Sequence, residues 1–458
     1  MQSLTITHSQ ASSSGNEALW LVLLSTPDGL IPDSLVLPLT GTFEVQRNQS
    51  WKPRKLSDPS LSRHHFRITA VKHLGGLWEL EDLDSKNGTF VNARRVKRHF
   101  LKSGDVIRAG DCVFTVLSAP LGNEPPTQLF PVPLSSLGNN GALAVDEEDM
   151  EWIGFGPTSR GIREQLCRVA PTTLPVLLLG ETGTGKEVAA RAIHRLSGRL
   201  GEMNSVNCSA VPESLFESTF FGHRKGAFTG ADRDEKGLLR ATHKGTLFLD
   251  EVGEMPLSAQ AKLLRFLEDG HVQSVGSTRS ESVDVRIVSA TNAPIRRSST
   301  EGSFRPDLLA RLDGFSLELP PLRHRREDIP ALVSGFASKH EVRRVELSPD
   351  ATEAIVLDDW PHNVRGLVRT VQRWCELERQ GDAVSIGLCH LPNALGDRIC
   401  AREEAPDVPS ARRRKPDRSE LLSVLESCEF NIQLVARHFD KDRKQVYRWM
   451  EQYGIDRP

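Results

Sequence analysis

The sequence has almost no net charge and no long apolar run. Its 58 basic and 60 acidic residues leave a formal net charge of −2. This balance excludes a globally basic nucleic-acid coat, so any nucleic-acid contact must be local. No window approaches the apolar length that a membrane helix needs, and the opening residues, MQSLTITHSQ, lack the basic start and apolar stretch of a signal peptide. We therefore expect a cytoplasmic protein.

Paired cysteines are also missing. The 7 cysteines are scattered from Cys112 to Cys428 without a C-x-x-C pair, which indicates neither a disulfide framework nor a zinc site. A length of 458 residues suggests roughly three domains.

Two stretches without clear periodicity, residues 120–150 and 396–417, are rich in proline or basic residues and are predicted to be linkers. Residues 18–119 contain short β-rich runs such as LWLVLL, HHFRITAV and CVFTVL, which predict an all-β sandwich. From residue 151 to about 393, apolar strands (VLLLG, GTLFLDE, VRIVSATN) alternate with amphipathic helices, which predicts an α/β domain with a largely parallel sheet. Residues 418–458 are helical in pattern.

A glycine-rich phosphate loop is the strongest motif. The apolar run Val176–Leu179 is followed by GETGTGKE, whose glycines let backbone N–H groups turn toward phosphate oxygens, and Lys186 can reach the β- and γ-phosphates of ATP. The alternative is an ordinary glycine-rich turn between a strand and a helix. The predicted nucleotide-binding residues are Gly180, Glu181, Thr182, Gly183, Thr184, Gly185, Lys186 and Glu187.

Two carboxylates are the candidate metal and water ligands. Glu187 stands where a Ser or Thr hydroxyl normally contacts magnesium, so another group must help to hold Mg²⁺. TLFLDE is a predicted strand that ends in Asp250, which can order the Mg²⁺ shell through water, and Glu251, which can polarise the attacking water. The alternative is a strand that ends in two solvated acids.

An unusual aromatic loop carries the most specific resemblance. In FFGHRKGAFTGA, residues 220–231, Phe228 and Thr229 lie between two glycines, as suits a mobile loop; a buried Phe in a tight turn is the alternative. This stretch, GETGTGKE, GTLFLDEVGEMP, VRIVSATN, FRPDLLARL, LPPLRHRREDIP and WPHNVRGL resemble the motifs of bacterial enhancer-binding proteins. Those proteins are AAA+ activators that remodel sigma-54 RNA polymerase.

The resemblance implies roles in hydrolysis for residues outside the phosphate loop. Asn207 matches the residue that restrains the catalytic Glu251 until nucleotide is bound, and Asn292 matches the first sensor of the γ-phosphate. Arg305 and Arg311 match arginine fingers, which neutralise transition-state charge on the ATP of a neighbouring subunit.

The same resemblance divides the middle segment into an ATPase subdomain and a lid. It also implies that six chains assemble into a ring. Residues 151–335 would form the ATPase subdomain that contacts sigma-54, and residues 336–395 the small helical lid, from which Arg365 would act as the second sensor. For Arg311 an i,i+4 pair with Asp307 is an alternative that can coexist with the finger role.

The aromatic loop would be the contact with sigma-54. An exposed aromatic side chain is a natural anchor for a partner, and flanking glycines let the loop move with the nucleotide state. The residues implied in this contact are Gly226, Ala227, Phe228, Thr229, Gly230 and Ala231. Ser274 stands in a nearby segment where the family usually has Arg.

The C-terminal segment, RSELLSVLESCEFNIQLVARHFDKDRKQVYRWMEQYGI, is predicted to form a helix and then a helix–turn–helix. It resembles the factor-for-inversion-stimulation (Fis) type of DNA-binding domain. Apolar residues that can pack inward are Val435, Phe439, Val446 and Met450, and the residues left for DNA are Arg443, Lys444, Gln445 and Arg448. A small helical dimerisation unit is the alternative.

Two loops of the front segment, LSDPSLSRHHF and LDSKNGTFVN, resemble those of a forkhead-associated (FHA) domain, a phosphothreonine-binding sandwich. The residues implied to face the phosphopeptide are Arg47, Ser62, Arg63 and Asn87, with His65 as a brace. Guanidinium, hydroxyl and amide donors suit a dianionic phosphate. Gln46 departs from the family, which has Gly there, and Asn87–Gly88 is alternatively only a hairpin turn.

We expect an ATP-hydrolysing, DNA-bound activator of sigma-54 promoters that is controlled by a phosphothreonine protein linked to a Ser/Thr kinase. One alternative is a AAA+ remodelling motor of another kind, against which GAFTGA argues. The other is a DNA-binding repressor with a vestigial ATPase, against which the intact Lys186, Asp250, Glu251, Arg305 and Arg311 argue.

Overall fold

The computed structural model describes residues 17–27, 29–38, 42–47, 49–51, 54–56, 58–71, 77–120, 154, 156–228 and 231–391, and in the C-terminal segment residues 418, 421–422, 425, 432, 435 and 443–455. Contacts divide the chain into two compact units. The first comprises residues 1–129, 337–358 and 374–458, and the second residues 130–336 and 359–373. No helix in the described part of the chain combines the length and the apolar character needed to cross a membrane.

The front segment is an antiparallel β-sandwich, as predicted. Its strands are β1 (Glu17–Thr26), β2 (Gly29–Pro38), β3 (Thr42–Val45), β4 (Gln49–Trp51), β5 (Arg54–Leu56), β6 (Phe66–Val71), β7 (Leu77–Asp82), β8 (Thr89–Val91), β9 (Arg94–Val96), β10 (Arg98–Leu101), β11 (Val106–Ala109) and β12 (Cys112–Pro120). One sheet has the order β2-β1-β12-β11-β8-β9 and the other β10-β7-β6-β3, while β4 and β5 form a separate pair. Leu21, Phe66, Ile107 and Phe114 are buried between the sheets.

The second unit contains a parallel five-stranded sheet of order β14-β15-β18-β13-β19, which confirms the predicted α/β class. The strands of this unit are β13 (Val176–Leu179), β14 (Met203–Asn207), β15 (Thr246–Asp250), β16 (His271–Gln273), β17 (Ser280–Ser282), β18 (Arg286–Thr291) and β19 (Phe315–Glu318). The helices are α1 (Pro157–Val169), α2 (Lys186–Leu196), α3 (Glu213–Phe221), α4 (Leu238–Ala241), α5 (Leu257–Asp269), α6 (Ile295–Thr300) and α7 (Pro306–Leu312). Every residue of β18 is buried, because helices cover both faces of a parallel sheet.

The lid segment is helical but also contains strands that the sequence interpretation missed. Its helices are α8 (Ile329–Ser338), α9 (Pro349–Leu357) and α10 (Asn363–Leu377), and its strands are β20 (Arg344–Leu347), β21 (Arg379–Gln380) and β22 (Ala383–Ile386). The strands form a sheet of order β20-β22-β21. Each is only 2 to 4 residues long, too short to give a period-2 signal above the helical pattern around it.

The C-terminal segment has its own apolar cluster. Val435, Val446 and Met450 are buried in it, as predicted, together with Leu421 and Trp449. Its one fully described helix is α11 (Arg443–Tyr453). Phe439 and most residues of the two helices predicted before α11 lie outside the described residues, so the helix–turn–helix stays a prediction.

Strand β1 is buried on both faces. Leu21 and Leu23 point into the sandwich core, whereas Trp20 and Val22, which alternate with them, are also buried. Helix α9 packs against β1, β11 and β12 within the same unit. The unbroken apolar run LWLVLL therefore reflects a strand that is covered on two sides.

Candidate nucleotide site and interaction surfaces

The phosphate loop connects β13 to α2. Gly183 has φ +80°, and a Cβ there would lie 2.3 Å from the carbonyl oxygen of His362, so only glycine fits this approach. Gly185, with φ +107°, begins α2 in the left-handed region. The loop therefore favours glycine at both positions because of their backbone conformation, and at Gly183 because of the lack of space as well.

Lys186 is buried at the start of α2. Its Nζ donates to the carbonyl oxygens of Gly180 at 2.8 Å and Glu181 at 3.3 Å, and lies 3.9 Å from Oε1 of Glu251. Burial lowers the pKa of Lys186, although the carboxylates of Asp250 and Glu251 act in the opposite direction. The amine is thus a desolvated cation directed into the loop, which suits a phosphate ligand.

The two predicted carboxylates lie where β15 ends, next to the end of β18. The backbone N–H of Glu251 donates to Oδ1 of Asp250 at 3.1 Å, and Glu251 has the left-handed φ of +50°. Asn292 donates its backbone N–H to Oε2 of Glu251 at 3.1 Å, and its side-chain amide to Oγ1 of Thr182 at 3.0 Å. The structure therefore joins the phosphate loop, the carboxylate pair and Asn292.

Asn207 lies at the end of β14 but does not restrain Glu251 in this structure. Its Oδ1 accepts from the backbone N–H of Ser209 at 2.9 Å and from Oγ of Ser209 at 2.7 Å, and so caps a short 3-10 helix. The asparagine that contacts Glu251 here is Asn292, through its backbone N–H. The switching role of Asn207 stays a prediction.

Glu181 is held by two residues that the sequence interpretation did not assign. Arg323 makes two hydrogen bonds to its carboxylate at 2.9 and 2.5 Å, and Asn363 donates to it at 3.1 Å. These contacts lower the pKa of Glu181 to about 2, chiefly through Arg323. The run of basic residues in LRHRRED was the available signal, but it did not single out Arg323.

The predicted second sensor, Arg365, also lies against the phosphate loop. Its neighbour Val364 donates a backbone hydrogen bond to the carbonyl oxygen of Gly183 at 3.0 Å, and a Cβ on Gly183 would be 3.2 Å from Cβ of Arg365. The Arg365 side chain itself is exposed. Glu187, by contrast, points to solvent and pairs with Arg191 at 2.6 Å.

The candidate arginine fingers make ion pairs within their own chain. Arg305 binds Asp307 with two hydrogen bonds of 3.1 and 2.7 Å, which raise the pKa of Arg305 and lower that of Asp307 to about 2. Arg311 lies 3.8 Å from Glu268. The alternative contact for Arg311, an i,i+4 pair with Asp307, is not formed, since Arg305 binds that carboxylate and Arg311 lies nearest to Glu268.

The aromatic loop is a compact turn. The N–H of Gly226 donates to the carbonyl of Ala231 at 2.8 Å, and the N–H of Ala231 donates to the carbonyl of Phe228 at 3.0 Å. Phe228 is 37% exposed, and its ring meets the ring of His223 edge-on at 4.9 Å. Ala227 lies in the same turn, while Thr229 and Gly230 lie outside the described residues. The side chain of Phe228 is thus outside the core, partly exposed to solvent and in contact with one neighbouring ring.

The stem of this loop is attached to the segment that contains Ser274. Arg224 donates its backbone N–H to the carbonyl of Val275 at 3.0 Å. Arg240 donates one hydrogen bond to the carbonyl of Phe221 at 2.7 Å and another to Oγ of Ser274 at 2.9 Å. Arg240 therefore joins the stem of the aromatic loop to the segment of Ser274. Ser274 is the residue that stands where the family usually has Arg.

The predicted phosphopeptide residues come together at one end of the sandwich. Nδ1 of the buried His65 accepts from the backbone N–H of Ser62 at 3.1 Å, and Nε2 lies 3.1 Å from the carbonyl oxygen of Gly88. Asn87 donates to the carbonyl of Ser60 at 2.7 Å. Burial lowers the pKa of His65, which favours the neutral ring that these contacts need. His65 thus holds the two loops together.

Arg47 is turned toward the same loop in this structure. Its Nε donates to the carbonyl of Leu61 at 2.6 Å and its second terminal nitrogen to that of Pro59 at 2.9 Å. Arg63 is exposed, and Gln46 donates to Glu44 at 3.1 Å. To reach a phosphate, the guanidinium of Arg47 must exchange these carbonyl contacts for the anion.

The predicted DNA-binding residues lie on α11. Lys444 and Arg448 are exposed, and Gln445 is half-buried, whereas Val446 and Trp449 are buried. The side chain of Arg443 lies outside the described residues. Helix α11 therefore has a basic face opposite its apolar one.

Profiles of three known families match the sequence. The Sigma-54 interaction domain matches residues 153–318, the FHA domain residues 49–110, and the AAA+ ATPase lid domain residues 323–405. Together these matches include the phosphate loop, the carboxylate pair, the candidate fingers and most of the front sandwich.

The curated relatives are bacterial regulators. The chain is 39% identical over 314 residues to a putative uric acid sigma-54-dependent transcriptional regulator, UacR, of Escherichia coli (strain K12), which covers 67% of this chain and 52% of that protein. It is 46% identical over 238 residues to the Nif-specific regulatory protein of Herbaspirillum seropedicae, covering 51% and 44%. It is 37% identical over 311 residues to the regulatory protein AtoC of Escherichia coli (strain K12), covering 66% and 67%. The chain thus spans about half the length of the first two.

A solved structure has a similar fold. NtrX from Brucella abortus, determined in complex with ATP, is 30% identical with a TM-score of 0.50, and the match covers 67% of this chain and 70% of that one.

Proposed function

This chain belongs to the sigma-54-dependent transcriptional regulators, and on that premise we propose that it hydrolyses ATP to remodel sigma-54 RNA polymerase while bound to DNA upstream of the promoter. The observation that carries the proposal is the convergence of Lys186, Asp250, Glu251 and Asn292 around one phosphate loop. A vestigial ATPase would have no reason to keep this set together.

The residues divide the work of hydrolysis. The backbone N–H groups of the loop and Lys186 bind the phosphates, and Glu251 takes the proton of the attacking water. Asn292, which contacts both Thr182 and Glu251, positions the carboxylate relative to the loop. Arg323 and Asn363 keep Glu181 in place, so that its negative charge is neutralised before an anion arrives.

The carboxylate pair fits a magnesium ion that arrives with the nucleotide. Within the described residues no group of three or more His, Cys, Asp or Glu side chains could hold a metal alone. Mg²⁺ prefers one or two carboxylates together with phosphate oxygens, and when bound it neutralises phosphate charge. Asp250 would hold it through water, while Glu187, which is paired with Arg191, points away.

The remaining parts transmit the chemistry. Arg305 and Arg311 would act on the ATP of the next subunit in a hexameric ring, which requires Arg305 to leave Asp307. Phe228, partly exposed at the tip of its loop, would contact sigma-54 together with Thr229. A AAA+ motor that acts on another substrate would not need this aromatic tip.

The C-terminal segment would bind the protein to DNA, and the front sandwich would receive the regulatory signal. The basic face of α11 would enter the major groove of DNA, with Lys444 and Arg448 in contact with it. The loops around His65 would bind a phosphothreonine protein through Arg47, Ser62, Arg63 and Asn87.

Transcription in vitro tests the central proposal. With sigma-54 holoenzyme and a sigma-54 promoter, the wild type should produce ATP-dependent transcripts, whereas Glu251→Gln should bind ATP but produce none. A primary sigma factor on its own promoter is the control. Hydrolysis without sigma-54-dependent transcripts would favour another kind of AAA+ motor, and hydrolysis by Glu251→Gln at the wild-type rate would refute its assignment as the base.

Phosphothreonine recognition needs a separate test on the full chain. In fluorescence polarisation, a library of phosphothreonine peptides should contain members that bind the wild type, while their unmodified forms do not. Arg47→Ala should weaken this binding markedly, and Arg98→Ala, an exposed arginine elsewhere in the sandwich, should not. If no phosphothreonine peptide binds better than its unmodified form, the sandwich takes another input.

A further inference from the structure

The front sandwich has a second surface, separate from the candidate phosphopeptide loops. We call it the outer face and define it by Trp20, Val22, Val106, Arg108 and Val113. The residues that alternate with these along the strands, such as Leu21 and Ile107, belong to the sandwich core. Except for Arg108, with 12% of its side chain exposed, every residue of the outer face is buried. A sandwich that stood alone would leave this apolar face in water.

Helix α9 of the lid covers the outer face. It packs against β1, β11 and β12, and its residues from Ala351 to Leu357 are all buried. A helix that is buried all round must have packing partners on more than one side. The outer face is one of those partners.

A buried ion pair fixes how the two surfaces meet. The side chain of Glu353 has no exposed surface, and it accepts hydrogen bonds from Nε of Arg108 at 2.6 Å and from the backbone N–H of Ala93 at 2.7 Å. Asp350, one turn earlier on α9, lies 3.0 Å from Arg108. A buried carboxylate is tolerated only with such partners, so the apolar faces must meet in this one register.

The ion pair is connected to the candidate phosphopeptide loops by a single short strand. Strand β8 begins directly after Asn87 and Gly88 and is followed by the turn that contains Ala93. In its middle, the ring of Phe90 lies 4.0 Å beneath the guanidinium of Arg108. The candidate phosphopeptide loop therefore lies at one end of β8, and the contact with the lid lies at the other end.

The lid is the element that a docked domain would affect. Helix α9 ends at Leu357, and the candidate second sensor Arg365 follows eight residues later. A lid that carries a nucleotide sensor moves between nucleotide states, so a domain packed on its helix must move with it or detach. If the domain must detach, the docking contacts have to break before the lid can move, and docking then opposes the movement.

We propose that the outer face is an intramolecular docking surface for the lid helix α9, and that docking through Arg108 and Glu353 slows ATP hydrolysis by restraining the lid. The proposal rests on the ATPase activity proposed above. It assigns the front domain a second interaction surface whose partner is an acidic helix of the same chain.

Charge reversal in the full-length chain tests the docking. Arg108→Glu and Glu353→Arg each bring like charges together, so each should raise the basal turnover of ATP about fivefold. The reversed pair in one chain should recover at least half of that difference. Glu353→Gln, which keeps an acceptor for Ala93 and removes only the charge, should have an intermediate effect and serves if the reversals fold poorly.

One further measurement and a matched control make the test decisive. Hydrogen exchange at the Ala93 amide should accelerate in Arg108→Glu and Glu353→Arg, because undocking of α9 or the loss of the carboxylate takes the buried acceptor away from this N–H. The matched control is Arg98→Glu, which reverses an exposed pair with Glu81 in the same sandwich and should change neither exchange nor turnover. Measurements are made at a protein concentration where turnover per subunit is constant.

The outcomes separate docking from the ATPase activity. If the wild type hydrolyses ATP and exchange at Ala93 accelerates without a rise in turnover, docking imposes no restraint and the inference is wrong. A fall in turnover overturns it as well. If neither the wild type nor any variant hydrolyses ATP, the proposed ATPase activity fails, and the inference fails with it.

Discussion

At the scale of single residues, Arg323 is the clearest case of a side chain that acts through another. It neutralises Glu181, whose carboxylate would otherwise place an uncompensated negative charge in the loop that is proposed to bind the phosphates. We expect Arg323→Ala to raise the KM for ATP about tenfold, the equivalent of about 1.4 kcal/mol, with a smaller change in kcat.

Steady-state kinetics check this, and Glu181→Gln in the same chain should restore much of the affinity. The control is Arg297→Ala, which removes an exposed i,i+4 pair with Glu301. If Glu181→Gln gives no rescue, Arg323 acts on the nucleotide directly or on folding, and its positioning role is wrong.

Glu327 leads to a prediction about pH. Burial and the neighbouring charge of Asp328 raise its pKa far above the usual 4.5. A raised pKa in the folded state means that folding favours the protonated acid, so this stability is complete below the ordinary pKa and is lost as pH rises through the raised one.

Glu327→Gln should therefore be as stable as the wild type or less stable near pH 5, and more stable near pH 9, by on the order of a few kcal/mol. Thermal unfolding across this pH range measures the difference. Parallel curves for the two proteins would mean that Glu327 does not titrate in the folded chain as its burial implies.

The residue scale also shows what a sequence can and cannot predict. The phosphate loop and the carboxylates of Asp250 and Glu251 were predictable, because their chemistry depends on residues that are adjacent in the chain. The pairing of Asp307 was not, since Arg305 and Arg311 are both within its reach and only packing selects between them. Arg323 lies 142 residues from Glu181, and no local pattern reports such a contact.

At the scale of elements, we expect the aromatic loop to separate ATP hydrolysis from its output. Phe228 is partly exposed and contacts His223, and it takes no part in the hydrogen bonds of Lys186 with the phosphate loop or of Glu251 with Asn292. Phe228→Ala should leave ATP turnover within about twofold of wild type and abolish formation of the open promoter complex.

Both activities should be measured on one preparation, by phosphate release and by a footprint of the melted promoter. Leu200→Ala is the control, since Leu200 is 96% exposed and should affect neither. A collapse of hydrolysis in Phe228→Ala would mean that the ring is needed for packing, as in the buried-turn alternative.

The type of an element could be predicted where the hydrophobic period was clear, and the prediction failed where that period was absent. The strands of the parallel sheet are apolar runs between helices, so their class follows from the sequence. The strands of the lid are too short for that, and the run LWLVLL was assigned to a sandwich strand without its second buried face. Nothing within β1 specifies that its cover is α9, because that partner is distant in the sequence.

At the scale of the whole molecule, the question is which subunit Arg305 serves, because within its own chain it pairs with Asp307. If Arg305 acts on a neighbouring subunit, Arg305→Ala retains a complete site of its own but supplies no finger, whereas Glu251→Gln supplies a finger and lacks a base. Each variant alone should lose about 10³-fold or more in turnover. Mixed one to one, they should exceed the mean of the separate rates at least tenfold.

Phosphate release from the mixture measures this, after conditions that allow subunits to exchange. A mixture of Arg305→Ala with Lys186→Ala/Arg305→Ala is the control, since neither chain supplies the finger and the rate should stay low. Additive rates in the first mixture would place the finger in its own subunit.

The cover of β1 also has a consequence for how the chain is made. Strand β1 leaves the ribosome early, and α9, which covers its outer face, follows more than three hundred residues later. For most of synthesis Trp20 and Val22 have no cover, so the nascent chain carries an adhesive patch that a chaperone must shield or that a neighbouring nascent chain can bind. A fragment truncated before the lid would keep that patch permanently, and its poor solubility would report the missing helix rather than a misfolded sandwich.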